Sequence, residues 1–139
     1  MLLPKKVKFR KSHTMRRNSK RALVASRGTT VAFGSHGLKA VTHARVKSNQ
    51  IESARKVIAR SLGKTGKSWV RIFPDMPFTK KPPEVKLGKG KGEPEGYQVE
   101  IWPGRVLFEV DGVSDAVATK ALAGAAMKLP LKAKVVTRN

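Results

Sequence analysis

Asn49-Gln-Ile-Glu-Ser-Ala-Arg-Lys-Val-Ile-Ala-Arg-Ser-Leu62 runs into Gly63-Lys-Thr-Gly-Lys-Ser68 and then Trp69-Val-Arg-Ile-Phe73. Across these residues the apolar period changes from that of a helix to that of a strand. Ile51, Ala54, Ile58 and Leu62 fall on one helical face, while Ser53, Lys56 and Arg60 fall on the opposite one. Asn49 is placed to cap this helix with Glu52 as its capping-box partner, and Gly63 occupies the stop position. Residues 69–73 alternate as a half-buried strand does. The helix therefore offers one side to a core and the other to an anion.

Working outward, Tyr97–Trp102 and Arg105–Val110 read as two strands joined by a Pro103-Gly104 hairpin, with Asp111-Gly112 as the next turn. Ser114 caps a second helix reaching to about Leu129, with Ala118, Leu122, Ala125 and Leu129 inward and Pro130 as its stop. Lys132–Thr137 reads as a final edge strand. Upstream, Thr29–Ala40 is strand-like through Val31, Phe33 and Leu38, interrupted by Gly34 and Gly37. The fold class is α+β: a mixed, mainly antiparallel sheet with two helices. Phe73, Tyr97, Trp102 and Phe108 are read as core, and Trp69 as core or partly exposed. Exposed aromatics gathered on one face, as base stacking would want, are not evident, so phosphate contact and shape readout are favoured.

Two stretches stand apart from this framework. Residues 1–28 form a basic arm with too few apolar residues to offset the entropy of ordering, expected to fold on RNA. Residues 29–139 form one domain. Within it, Pro74, Pro77, Pro82 and Pro83 argue against regular structure, which predicts a long basic loop over 74–96.

Charge narrows the function. The 139 residues hold 30 Lys and Arg against 9 Asp and Glu, a formal net charge of +21, where solubility asks for roughly 2 to 8. The first acid is Glu52, so residues 1–51 are cationic throughout. The missing negative charge is most simply supplied by nucleic-acid phosphate. Candidate contacts in the arm are Lys5, Lys6, Lys8, Arg10, Lys11, Arg16, Arg17, Lys20 and Arg21. Arg45, Lys47, Arg55, Lys56 and Arg60 would act at and around the first helix. Lys80, Lys81, Lys86, Lys89 and Lys91 line the loop, where Gly88, Gly90 and Gly92 bare the backbone to an anion.

Other chemistries find little support. There is no cysteine, which removes disulfides and thiolate metal sites. His13, His36 and His43 lack ligand spacing, and no metal or other cofactor is expected. Gly63–Ser68 resembles the end of a phosphate-binding loop, but Ser61 stands where the Walker pattern needs glycine. A helix also precedes it and a strand follows, the reverse of a P-loop. Ser35 beside His36 implies no nucleophile and base, so an enzyme, and with it a small-molecule substrate, is not expected. No apolar run approaches the ~20 residues of a membrane span. The start lacks a secretory pattern, and Pro4 with dense charge weakens a transit-peptide reading.

Several runs together resemble a known family. They are Met1-Leu-Leu-Pro-Lys-Lys-Val-Lys-Phe-Arg-Lys11, Val31-Ala-Phe-Gly34, Gly37-Leu-Lys-Ala40, Gln50-Ile-Glu-Ser-Ala-Arg55, Trp69-Val-Arg-Ile-Phe-Pro-Asp75, Lys81-Pro82, Gly88-Lys-Gly-Lys-Gly92, Pro103-Gly-Arg-Val-Leu-Phe-Glu109, Gly112-Val113 and Lys128-Leu-Pro-Leu-Lys132. The chain resembles the bacterial-type L-sixteen (universal uL-sixteen) family of large-subunit ribosomal proteins nearly end to end. The resemblance implies an α/β-hammerhead type of α+β fold, large-subunit ribosomal RNA and neighbouring ribosomal proteins as partners, and a role in late subunit assembly. It implies that the arm penetrates the RNA and that the loop at Lys80–Gly92 reaches A-site transfer RNA near the peptidyl-transferase centre, with P-site transfer RNA a second partner. The expected location is the cytoplasmic ribosome, with an organellar ribosome left open. Lys86 stands where the family often has arginine, residues 12–28 match poorly, and Gly96 is an unusual glycine. The competing reading is a free-standing RNA chaperone or nucleic-acid-packaging protein.

Overall fold

A computed structural model describes residues 1–13, 23–84, 88 and 90–138. The elements are β1 (His36–Ala40), β2 (Ala44–Lys47), α1 (Ser48–Leu62), β3 (Lys67–Val70), β4 (Met76–Lys80), β5 (Glu93–Ile101), β6 (Val106–Asp111), α2 (Asp115–Ala126) and β7 (Ala133–Thr137). They form an α+β fold with two antiparallel sheets. One is ordered β3-β6-β1-β7 and the other β2-β5-β4.

The helical periodicity of α1 delivers what its spacing predicts: Ile51, Ala54, Ile58 and Leu62 are buried, and Ser53, Lys56 and Arg60 are exposed. The start differs from expectation. Helix begins at Ser48, and the Lys47 amide donates to Gln50 Oε1 at 2.8 Å, so Asn49 is inside the helix and Glu52 is free to pair elsewhere. Gly63 ends it with a φ of 64°, a conformation glycine adopts at little cost. In α2, Ala118, Ala121, Leu122 and Ala125 are buried, and small residues let it lie close to α1. A Cβ on Gly124 would sit 3.1 Å from Val57. Helix stops at Ala126 rather than near Leu129, yet turn bonds at Lys128 and Leu129 keep Leu129 in the core. Leu38, Val46, Ile101, Leu107, Phe108 and Val110 complete that core between helices and sheets. β7 is the edge strand its position suggests.

Four expectations are corrected. First, β5 and β6 are not a hairpin, because they belong to different sheets. At Gly104, whose φ is 100°, the chain leaves the small sheet and enters the large one beside β1, guided by Gly104 N–H to Ala40 O and Ala40 N–H to Arg105 O, both 2.8 Å. Second, the span 74–96 is not one loop, since β4 lies inside it and β5 begins at Glu93. Proline is tolerated where a strand has no second neighbour. Pro77 is in edge strand β4, and Pro94 lies where β5 pairs with β4 but runs beyond β2. What joins the paired strands β4 and β5 shrinks to residues 81–92. Third, β3 covers Lys67–Val70 only, and Phe73 is exposed. Fourth, the strand in 29–40 starts at His36.

Residues 28–34 instead cross the face of the large sheet away from the helices. Val106 N–H donates to Gly28 O at 2.7 Å, and Val31 packs over Gly37. Glu109, wholly buried in β6, anchors this crossing. Its Oε1 accepts the amides of Ala32, Phe33 and Gly34 at 2.8, 2.9 and 3.1 Å, and its Oε2 accepts from Arg71 Nη1. Burial pushes the carboxyl up, but the Arg71 hydrogen bond and the Gly34 and Phe33 amides outweigh it and hold the group below the usual carboxylate range. Gly34 is required for the approach, because a Cβ there would lie 2.4 Å from Val110 O.

Candidate nucleic-acid interface

The arm does not leave the body as a free tail at its start. Ser48 Oγ donates to Leu2 O at 2.6 Å, Leu2 packs against the core, and the Met1 ammonium lies 3.8 Å from Glu52. A few such contacts are enough to seat residues 1–3 while Lys5, Lys6, Lys8 and Arg10 remain exposed. Farther on, the arm meets the hairpin. Arg10 pairs with Glu93 at 2.6 Å, Lys11 Nζ donates to Lys91 O at 3.2 Å, and Lys91 Nζ donates to Ser12 O. Two cationic segments read separately in the sequence thus adjoin. Arg16, Arg17, Lys20 and Arg21 lie outside the described residues.

Around α1 the expected cations divide by partner. Lys56 and Arg60 are exposed and make no ion pair among the described residues. Arg55 is engaged by Glu52, Nη2 to Oε1 at 2.5 Å and Nε to Oε2 at 3.1 Å. The hydrogen bond from Arg55 outweighs the opposing cost of burial and holds the Glu52 carboxyl below its usual range, and the same bond raises Arg55. Arg45 is half-buried, with its Nε 3.8 Å from Glu100, and Glu100 also accepts from His43 at 2.8 Å. Lys47 lies over the Phe78 ring at 4.9 Å. That ring fits because Gly96 stands opposite, where a Cβ would come within 3.1 Å of it. Lys56 and Arg60 are therefore the α1 cations open to a phosphate, and Arg45 and Arg55 are partly neutralised within the fold.

At the hairpin tip, Lys80 is exposed and Lys81 half-buried. Gly88 and Gly90 have φ of 95° and 88°, and Gly92 lies so close to Lys80 that a Cβ would be 2.8 Å from its carbonyl oxygen. Lys86 and Lys89 lie outside the described residues. Glycine adopts such positive φ angles without steric cost.

His36 and His43 are held by neighbours within the fold, and His13 is exposed. His36 is buried, its Nδ1 2.9 Å from Ser35 Oγ and its Nε2 3.1 Å from Asp115 Oδ1. The series looks like a serine, histidine and aspartate relay, but Asp115 is 95% exposed and Ser35 Oγ also faces Val110 O at 3.4 Å. The contacts clasp the first turn of α2 onto β1. His43 is held by Glu100 and by the Trp102 ring, 4.3 Å between centroids. Gly63–Ser68 joins a helix to a strand, the order a P-loop does not have. Among the described residues no group of His, Asp and Glu is placed to hold a metal ion, and no helix is long and apolar enough to cross a membrane.

Sequence reasoning missed the surroundings of Glu109. Phe33 is 56% exposed, its ring stacked on Trp69 with centroids 6.2 Å apart and 26° between planes. The Arg71 guanidinium lies 5.0 Å from the Phe33 centroid. The three converge through chain crossing, which no local period announces. Beside Arg71 is a cleft of about 500 Å³, lined in part by Arg55, Arg105 and Phe73.

Comparison with known proteins adds an independent line. The family model described as ribosomal protein L16p/L10e matches residues 4–136. Among similar proteins, one from Afipia carboxidovorans is 49% identical over 99% of this chain and 98% of its own length. One from Rickettsia felis is 51% identical over the same shares, and one from Nitrobacter winogradskyi is 50% identical, again over 99% and 98%. Each is named large ribosomal subunit protein uL16.

Proposed function

Because the chain belongs to the L16p/L10e family of ribosomal proteins, we propose that it is a structural constituent of the large ribosomal subunit, bound to its RNA and to neighbouring ribosomal proteins. It is not an enzyme; it acts by neutralising and positioning RNA, in the cytoplasmic ribosome. The observation that carries the finer reading is the junction of arm and hairpin at Arg10–Glu93 and Lys11–Lys91. It makes one cationic surface of two segments, with Lys56 and Arg60 adding a second patch on α1. Phosphates replace water around these side chains, and counterion release drives association. Specificity comes from RNA shape, because charges of this kind fix register without reading bases.

The hairpin tip, Lys80 to Gly92, is the part we assign to transfer RNA, at the A site and by extension the P site. Its glycines and lysines suit a backbone approached closely. The arm, residues 1–28, is assigned to ribosomal RNA, and residues 29–139 to one folded domain. Late subunit assembly follows if the arm orders only when its RNA partner has folded. Crosslinking of intact ribosomes tests the assignment. Attachment of the 80–92 segment to transfer RNA is expected, and attachment only to ribosomal RNA far from the peptidyl-transferase centre overturns it.

A further inference from the structure

We propose that Phe33, backed by Trp69 and Arg71, is a seat on which one unpaired nucleobase of RNA stacks, and that the neighbouring arginine-lined cleft takes the attached phosphate. The proposal deepens the RNA-binding reading and rests on it. Large aromatic side chains are exposed at a cost, and this one is more than half exposed on a segment that the fold spends a buried carboxylate to fix. Three consecutive amides, from Ala32 to Gly34, converge on Glu109, so the backbone carrying Phe33 is immobilised. Trp69 and Arg71 are two residues apart along β3 and its continuation, where Arg71 N–H bonds to Leu107 O at 2.9 Å. They therefore project from the same side of the strand. Both lie against the Phe33 ring, with 6.2 Å between the Phe33 and Trp69 centroids and the Arg71 guanidinium 5.0 Å from the Phe33 centroid, while 56% of Phe33 stays open to solvent.

Such a surface is built to receive a flat π system. Aromatic–base stacking is tolerant of sequence because every base has a π face, and a guanidinium beside the rings adds cation–π attraction. The occupant is anionic rather than another apolar protein face because of the cleft. Arg71 is shared between the rings and the cleft, and Arg105 lines the same space, as does Arg55 together with the Glu52 carboxylate that partly neutralises it. The Nε of Arg105 is buried and has no hydrogen-bond partner among the described residues. A phosphate there meets the Arg71 and Arg105 guanidinium groups, beside a base on Phe33.

The test uses the full chain, wild type and Phe33→Leu, with Phe33→Tyr as the conservative control. Each is titrated with a short oligouridylate and with the same oligomer made abasic, at several salt concentrations. Wild type and Phe33→Tyr are expected to prefer the base-bearing strand by about 5- to 150-fold, and Phe33→Leu to lose the preference with its salt slope unchanged. Equal preference in Phe33→Leu overturns the seat while leaving charge-driven RNA binding intact. Failure of wild type to bind either strand overturns the RNA reading beneath it. In assembled subunits, a photoreactive phenylalanine analogue at position 33 is expected to attach to an RNA base; attachment to a ribosomal protein instead overturns the proposal.

Discussion

Replacing Glu109 is the perturbation whose consequences the structure defines most fully. The carboxylate is wholly buried and serves four donors, the amides of Ala32, Phe33 and Gly34 and the Arg71 guanidinium. Glu109→Ala removes all four acceptor contacts. The Gly34 amide is then buried without a partner, which alone costs about 1–3 kcal/mol. Arg71 loses its counter-charge in a half-buried position, and breaking a buried pair costs about 3–5 kcal/mol in all. Glu109→Gln keeps an acceptor for the amides but not the charge, so its loss is smaller, about 1–3 kcal/mol. Urea and thermal unfolding followed by circular dichroism measure both. The alanine variant should lose roughly 10–20 °C in Tm for a chain of this size. The pH dependence has a fixed sign. The folded carboxyl titrates below its ordinary value, so its contribution is complete above the unfolded value and is lost as pH falls through the folded one. The gap between wild type and Glu109→Gln should be constant from neutral pH to about 5 and close below roughly 4.3. A loss under about 1 kcal/mol in Glu109→Ala, or a gap indifferent to acid, refutes the reasoning.

Three further outcomes follow from particular contacts. Gly34→Ala places a Cβ 2.4 Å from Val110 O and should destabilise by about 1–3 kcal/mol or more in chemical denaturation. Ile58→Ala opens a cavity between α1 and the rest of the core at a fully buried position and should cost about 2–5 kcal/mol, whereas Arg60→Ala on the opposite face should leave the unfolding midpoint within about 0.5 kcal/mol of wild type. Joint replacement of Lys56 and Arg60 by alanine should lower the steepness of the log–log salt dependence of RNA binding by about 1.4–1.8, from a wild-type slope of roughly −7 to −9 if about 10 phosphates are neutralised. Isothermal titration across salt concentrations checks it.

The elements legible in the sequence are those whose cause is local. Ile51, Ala54, Ile58 and Leu62 announce the buried face of α1 by spacing alone, and Ala118, Leu122 and Ala125 do the same for α2. What the sequence hid is set by neighbours distant along the chain. Pro77 reads as a strand breaker until β4 is seen to be an edge. Pro103-Gly104 reads as a hairpin turn until β1 is seen to draw β6 into another sheet. The candidate cations were all visible as residue types, yet their availability was not. Glu52 and Glu100 partly neutralise Arg55 and Arg45, while Lys56 and Arg60 stay open. Glu109 looked like one acid among nine, and Phe33 like an inward strand residue, because the contact joining them spans most of the chain.

The central claim is that exposed cations bind this chain into the RNA of the large subunit. Sedimentation of ribosomes carrying the tagged chain through a high-salt sucrose gradient tests it most directly. The chain is expected to travel with the large subunit and to remain there after the wash. Recovery at the top of the gradient, with subunits free of it, would contradict the account and favour a free-standing RNA chaperone.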